Sequence, residues 1–145
     1  MAHKNNPSPP FNHAVHNFEA CSALNKLGGY NDWVVTTAFY SGMKFLEDIL
    51  FPEVYDHPVK QGEQKEYKTF SSYTRDFGRA LGLNKHKIMS DLVEKNVDDI
   101  KIINYYEDLK QSCHTARYIN YQVGQDRVNM ATEAIEAIKN HCVSG

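Results

Sequence analysis

Arg117 and Tyr118 close the stretch YYEDLKQSCHTARY, residues 105–118. Drawn on a helix, Tyr106, Leu109, Cys113 and Ala116 share one apolar side. Arg117 falls at the edge of that side, away from the wet face of Glu107, Gln111 and His114. A guanidinium there is a structural tie, a ligand clamp or part of a nucleolytic site. As a tie it needs acceptors, because an unpaired buried charge is costly. Glu47 is the first candidate acceptor, and backbone carbonyls at a helix end are the alternative. Four of the nine tyrosines, Tyr105, Tyr106, Tyr118 and Tyr121, fall in the same predicted helix as Lys110. Tyrosine offers a stacking face with a polar tip, so Tyr118, Arg117 and Lys110 could stack a base and hold a nucleotide or RNA. The alternative is that these rings line a bundle core and a dimer surface.

Other reactive types are arranged less suggestively. His13 and His16 form an HxxH pair, but a metal site needs further ligands, so no metal and no cofactor are expected. The sequence holds no HExxH or EF-hand pattern, and LGGYND lacks the Lys-Ser/Thr of a phosphate loop. Cys113 and His114 are adjacent on a helix, so their side chains diverge rather than meet. The three cysteines, Cys21, Cys113 and Cys142, are odd in number and form no CxxC, which predicts buried thiols in a reducing compartment.

The elements that must carry these residues follow from composition and period. At 145 residues, 41% hydrophobic and 23% charged, the chain suits one ordinary globular domain. A net charge of -2 excludes a globally basic nucleic-acid binder, though a local patch stays possible. The opening stretch MAHKNNPSPPFNH lacks an apolar core, and no run approaches the ~18 apolar residues of a membrane helix, so a cytoplasmic protein is expected.

Pro7, Pro9 and Pro10 predict a flexible arm over residues 1–12, followed by a single domain over 13–145. A first helix is predicted over 13–27, ended by Gly28-Gly29. A second, capped by Asn31 or Asp32, runs over 31–51 and carries a polar stripe of Thr37, Ser41, Lys44 and Asp48. The segment to residue 65 reads as a long polar loop. Helices over 66–82 and 86–96 follow, with Arg75 and Arg79 facing out of the first of them. The long helix then spans 98–122, and a last one spans 125–142. In that last helix Val128, Ala131, Ile135, Ile138 and Cys142 form a narrow seam for helix packing and for a homodimer. No stretch alternates in the strand manner. The fold expected is all-α: an antiparallel up-and-down bundle of four long helices plus one or two short ones.

Two segments resemble the HEPN superfamily of small helical-bundle proteins. In GGYNDWVVTTAFYSGMKFLEDIL, residues 28–50, the resemblance rests on Tyr30, Asp32, Trp33, Phe39, Tyr40 and Glu47. In YEDLKQSCHTARY, residues 106–118, it rests on Tyr106, Leu109, Ser112, Ala116, Arg117 and Tyr118. The resemblance implies a bundle that often dimerises. Its members act as metal-independent endoribonucleases, as partners of small nucleotidyltransferases in toxin–antitoxin pairs, or as nucleotide-binding modules. It also points to Tyr40, Lys44 and Glu47, with Arg117 and Tyr118, as ligand-binding positions; Lys44 stands where many relatives carry a histidine. The nucleases use an Arg, a polar neighbour and a His four to six residues on, for cleavage through the RNA 2′-hydroxyl. This sequence departs from that pattern. Only Arg79 and His86 have an allowed spacing, Ala80 replaces the polar neighbour, and Gly82 interrupts the helix between them. A non-catalytic binding module is therefore the expectation. A ribonuclease with a degenerate or relocated Arg–His site is the first alternative, and a structural adaptor without ligand is the second.

Overall fold

The computed structural model describes residues 8–77 and 84–144. Among these residues six helices pack in antiparallel contact, with a small two-stranded hairpin between the second and third: α1 Pro9–Leu27, α2 Asn31–Leu50, β1 Glu53–Asp56, β2 Gln64–Tyr67, α3 Phe70–Phe77, α4 Lys85–Asn96, α5 Ile100–Tyr118 and α6 Gln125–Ser144.

α2 is the axis of the bundle. Its apolar residues recur all round, so it is covered by α1 on one side and by α5 and α6 on the other. The stripe of Thr37, Ser41, Lys44 and Asp48 is therefore not a wet face. Ser41 is fully buried and donates to the Ala14 carbonyl of α1 at 2.8 Å, and Asp48, 5% exposed, accepts from the Ser8 hydroxyl. These short polar groups let α1 approach closely while satisfying one another. On the opposite side Gly42 plays the same part through size. A Cβ there would sit 3.3 Å from Ile138 Cδ1 and 3.4 Å from Leu109 Cδ1, so a glycine lets α5 and α6 close onto α2. The seam Val128, Ala131, Ile135, Ile138 and Cys142 is buried within the chain, so it offers no free surface to a second copy.

Three expectations need correction. The arm does not extend to residue 12: Ser8 caps α1 by accepting from the Phe11 N–H at 3.2 Å, and Pro9 and Pro10 occupy its first positions, where proline's missing N–H costs nothing. The α2 cap position is Tyr30, without a side-chain cap bond, while the Asn31 amide donates to the Val123 carbonyl at 2.9 Å and ties the start of α2 to the α5–α6 turn. The long polar loop contains a hairpin, with Glu53 opposite Tyr67 and Asp56 opposite Gln64. Its strands are four residues each, and only Tyr67 is fully buried and Tyr55 partly buried, so the alternation was too short to read. The end of the helix expected over 66–82 lies outside the described residues beyond Phe77, and Arg79 lies there too.

Candidate functional site

A cleft of about 350 Å³ opens where α2, the start of α4 and the second half of α5 meet. α5 supplies most of it, because Lys110, Cys113, His114, Arg117 and Tyr118 recur at helical spacing and form one wall. Gln111 and His114, which read as a solvent face, also line it. α2 contributes Phe39 and Tyr40, and the first turn of α4 contributes Asn84, His86 and Lys87. Asn84 caps α4, accepting from the Lys87 N–H at 2.9 Å, and so fixes where His86 projects.

His86 packs edge-on against Phe39, with ring centroids 5.4 Å apart, and lies 6.1 Å from Tyr40. Burial, then the charge of Lys110, pushes its pKa below the ordinary imidazole value. Its buried Nδ1 has no hydrogen-bond partner. Burial also raises the Cys113 thiol and the Tyr40 phenol, so both stay protonated at neutral pH and Cys113 is no ready nucleophile. Lys110 Nζ donates to Ser90 Oγ at 2.6 Å and pairs with Glu107 at 2.9 Å. Lys87 pairs with Asp91 at 3.0 Å.

Arg117 answers the question its position posed. Its Nη2 donates to Asp32 Oδ2 at 2.9 Å, and its guanidinium lies 4.0 Å from the centroid of the Trp33 ring. It is a tie, but not to Glu47. The antiparallel run of α2 and α5 puts the end of α5 beside the start of α2, and Glu47 lies 15 residues farther on, about 22 Å along the helix. Glu47 instead holds Lys44 at 3.3 Å, and neither lines the cleft. Of the sequence-derived candidates, the structure thus brings Arg117, Tyr118, Tyr40 and His86 together and leaves Lys44 and Glu47 apart. The Asp32–Trp33 clasp on Arg117 was missed as such; its signal was an acidic and an aromatic residue in the first turn of α2, at the end nearest Arg117.

A second polar cluster joins the hairpin to α3. Asp76 accepts from the Tyr67 hydroxyl at 2.8 Å and from Lys65 Nζ at 3.0 Å, and faces His57 Nε2 at 3.5 Å. These partners, the Tyr67 bond foremost, hold its carboxyl below the usual value. His57 Nδ1 accepts from the N–H groups of Val59 and Lys60 at 3.1 and 2.9 Å, which places the neutral ring's proton on Nε2, toward Asp76. His13 and His16 are both exposed, and no group of three or more potential ligands that could hold a metal ion occurs among the described residues. No helix among them is long and apolar enough to cross a membrane.

Comparison with protein-family models, with curated proteins and with solved structures gives no match to this chain.

Proposed function

We propose that the chain is a non-catalytic, HEPN-like binding module whose α2–α4–α5 cleft takes one nucleotide, free or as a unit of single-stranded RNA. The observation that supports it is the lining. Lys87, Lys110 and Arg117 stand beside His86 and His114 and beside the rings of Phe39, Tyr40 and Tyr118, with no carboxylate among the lining residues. In a chain of net charge -2 this gathers three cations beside stacking faces, each paired with a carboxylate, Asp91, Glu107 or Asp32, that stands outside the lining. A phosphate is drawn by the cations and by the first turn of α4, and a base by the rings. A homodimer and a small nucleotidyltransferase partner belong to the proposal through the resemblance alone.

The test is titration of the protein with a free nucleoside monophosphate and, separately, with a labelled oligouridylate. Saturable binding of either, lost in Lys110→Ala with the fold intact, supports the reading, and which probe binds more tightly identifies the source of the nucleotide. No binding of either probe at low salt overturns it.

A metal-independent endoribonuclease is the second reading, favoured because His86 and Arg117 line one cleft. The engagement of Arg117 by Asp32 and Trp33 weighs against it. RNA cleavage that vanishes in His86→Ala while the fold persists would establish that reading in place of the first.

A further inference from the structure

We infer that His86 meets the phosphate of the ligand in its protonated form, so that capture at this cleft takes up a proton and tightens as the pH falls. The inference rests on the nucleotide-binding reading and assigns that site a regulation.

The geometry carries it. His86 is the second residue of α4, at the positive end of the helix dipole, and it lines the cleft. Its Nδ1 is buried without a partner, so the ring is held by packing against Phe39 and Tyr40 and not by hydrogen bonds. With no partner for Nδ1, no hydrogen bond within the protein pins the tautomer or the charge of this ring.

Burial first, then the charge of Lys110, keeps the proton off while the cleft is empty. From α5, Lys110 and Arg117 present positive charge, and His114 a second imidazole. Burial raises the Cys113 thiol and, from α2, the Tyr40 phenol, so both are neutral at physiological pH, and Tyr118 adds a further phenol. On its own helix Lys87 adds a further cation. The carboxylates nearest these cations, Asp91, Glu107 and Asp32, are engaged by Lys87, Lys110 and Arg117 respectively and do not line the cleft. Among the lining residues a charged imidazole therefore has paired cations and no carboxylate for neighbours until an anion arrives. The arriving phosphate reverses the balance: it offers an acceptor and negative charge within reach of the ring, and the protonated form becomes the favoured one.

The experiment uses the whole chain and a 5′-hydroxyl oligouridylate, whose own groups do not titrate between about pH 5 and about pH 8, the window in which an imidazole changes charge. Affinity is measured across that window at fixed salt, and calorimetry in two buffers of different ionisation enthalpy counts the protons taken up. Wild type should bind about tenfold more tightly at the acid end, the factor for a pKa that rises by one unit on binding. The chain has seven histidines, so acidification raises its overall charge as well, and the variant decides. His86→Gln keeps a polar group on a partly exposed helix start and should bind with a shallow slope and no measured proton uptake. Binding that is flat with pH in wild type overturns the inference and leaves the nucleotide-binding reading standing. A slope that survives in His86→Gln and disappears in His114→Gln moves the proton to the other imidazole and also overturns it. No binding at any pH overturns both.

Discussion

His57 and His86 sit in similar company and have opposite fates. Each imidazole lines a cleft together with tyrosine, phenylalanine and lysine side chains. His57 has both nitrogens engaged, Nδ1 by two backbone N–H groups and Nε2 facing Asp76. His86 has a buried nitrogen with no partner at all. The first ring is consumed in joining a hairpin to α3, and nothing about it is left to bind a ligand. The second is positioned by packing and by the Asn84 cap, with its bonding capacity unspent. Residue type alone does not separate these regions; the state of the hydrogen-bond ledger does.

The sharpest way to break that contrast is to remove the centre of the cluster that joins the hairpin to α3. Asp76→Ala leaves the buried Tyr67 hydroxyl and Lys65 without their shared acceptor. Hydrogen bonds to a charged group contribute about 1.5–3 kcal/mol, so a loss of about 2–3 kcal/mol in denaturant unfolding is expected, with oligouridylate affinity unchanged. If ligand affinity falls with stability, the two regions are coupled and the contrast is lost.

Tyr118→Ala is the mirror image. The side chain is 78% exposed, so stability should stay within about 0.5 kcal/mol of wild type. Stacking on an aromatic ring is worth about 1–3 kcal/mol per base, so oligouridylate affinity should fall by that amount in a filter or anisotropy titration. Unchanged affinity removes Tyr118 from the site.

Arg117 stands between the two kinds of region, since it lines the cleft and is also tied. Its side chain is 26% exposed and that of Asp32 15%, so the pair is only partly withdrawn from water. With one hydrogen bond and a stack on Trp33, Arg117→Ala should cost about 1–2 kcal/mol in unfolding, less than a fully buried pair. Arg117→Lys should recover part of that, because lysine keeps the charge but loses the planar fork. Wild-type stability in Arg117→Ala together with abolished binding would make it a ligand clamp alone.

How far the sequence carried these distinctions depends on the range of the forces involved. The periods of α2, α5 and α6 were legible because each helix buries its apolar residues continuously. The start of α1 was hidden by Pro9 and Pro10, which read as an arm until Ser8 is recognised as their cap. The hairpin was hidden because its strands are short and present mostly charged side chains to water. For the site, Arg117, Tyr118, Tyr40 and His86 were legible as types able to bind, and the fold brings them together. The partner of Arg117 was not legible, since periodicity around a helix says which side a residue takes but not which end of a neighbour it meets. Lys44 and Glu47 stand apart from the cleft for the same reason: they share a stripe of α2 with Tyr40 but lie farther along it, where they pair with each other.

The smallest expected effect separates the two regions by pH in the protein without ligand. The folded pKa of His86 lies below the ordinary 6.5, so the unfolded chain takes up this proton more readily. Its contribution is whole above 6.5 and declines as the pH falls from there through the folded value. Asp76 is also depressed, from the ordinary 3.8, so the unfolded carboxylate again protonates first. Its stabilisation is whole above 3.8 and is lost as the pH falls through the lower folded value. Both changes destabilise toward acid, but in separate windows. Denaturant unfolding of wild type, His86→Gln and Asp76→Asn at about pH 7, 5 and 3 resolves them. His86→Gln should lose less stability than wild type between the first two values. The deficit of Asp76→Asn relative to wild type should hold steady there and narrow only at the third. Should His86→Gln track wild type from pH 7 to 5, the empty cleft does not hold that imidazole neutral, and the contrast with His57 rests on hydrogen bonding alone.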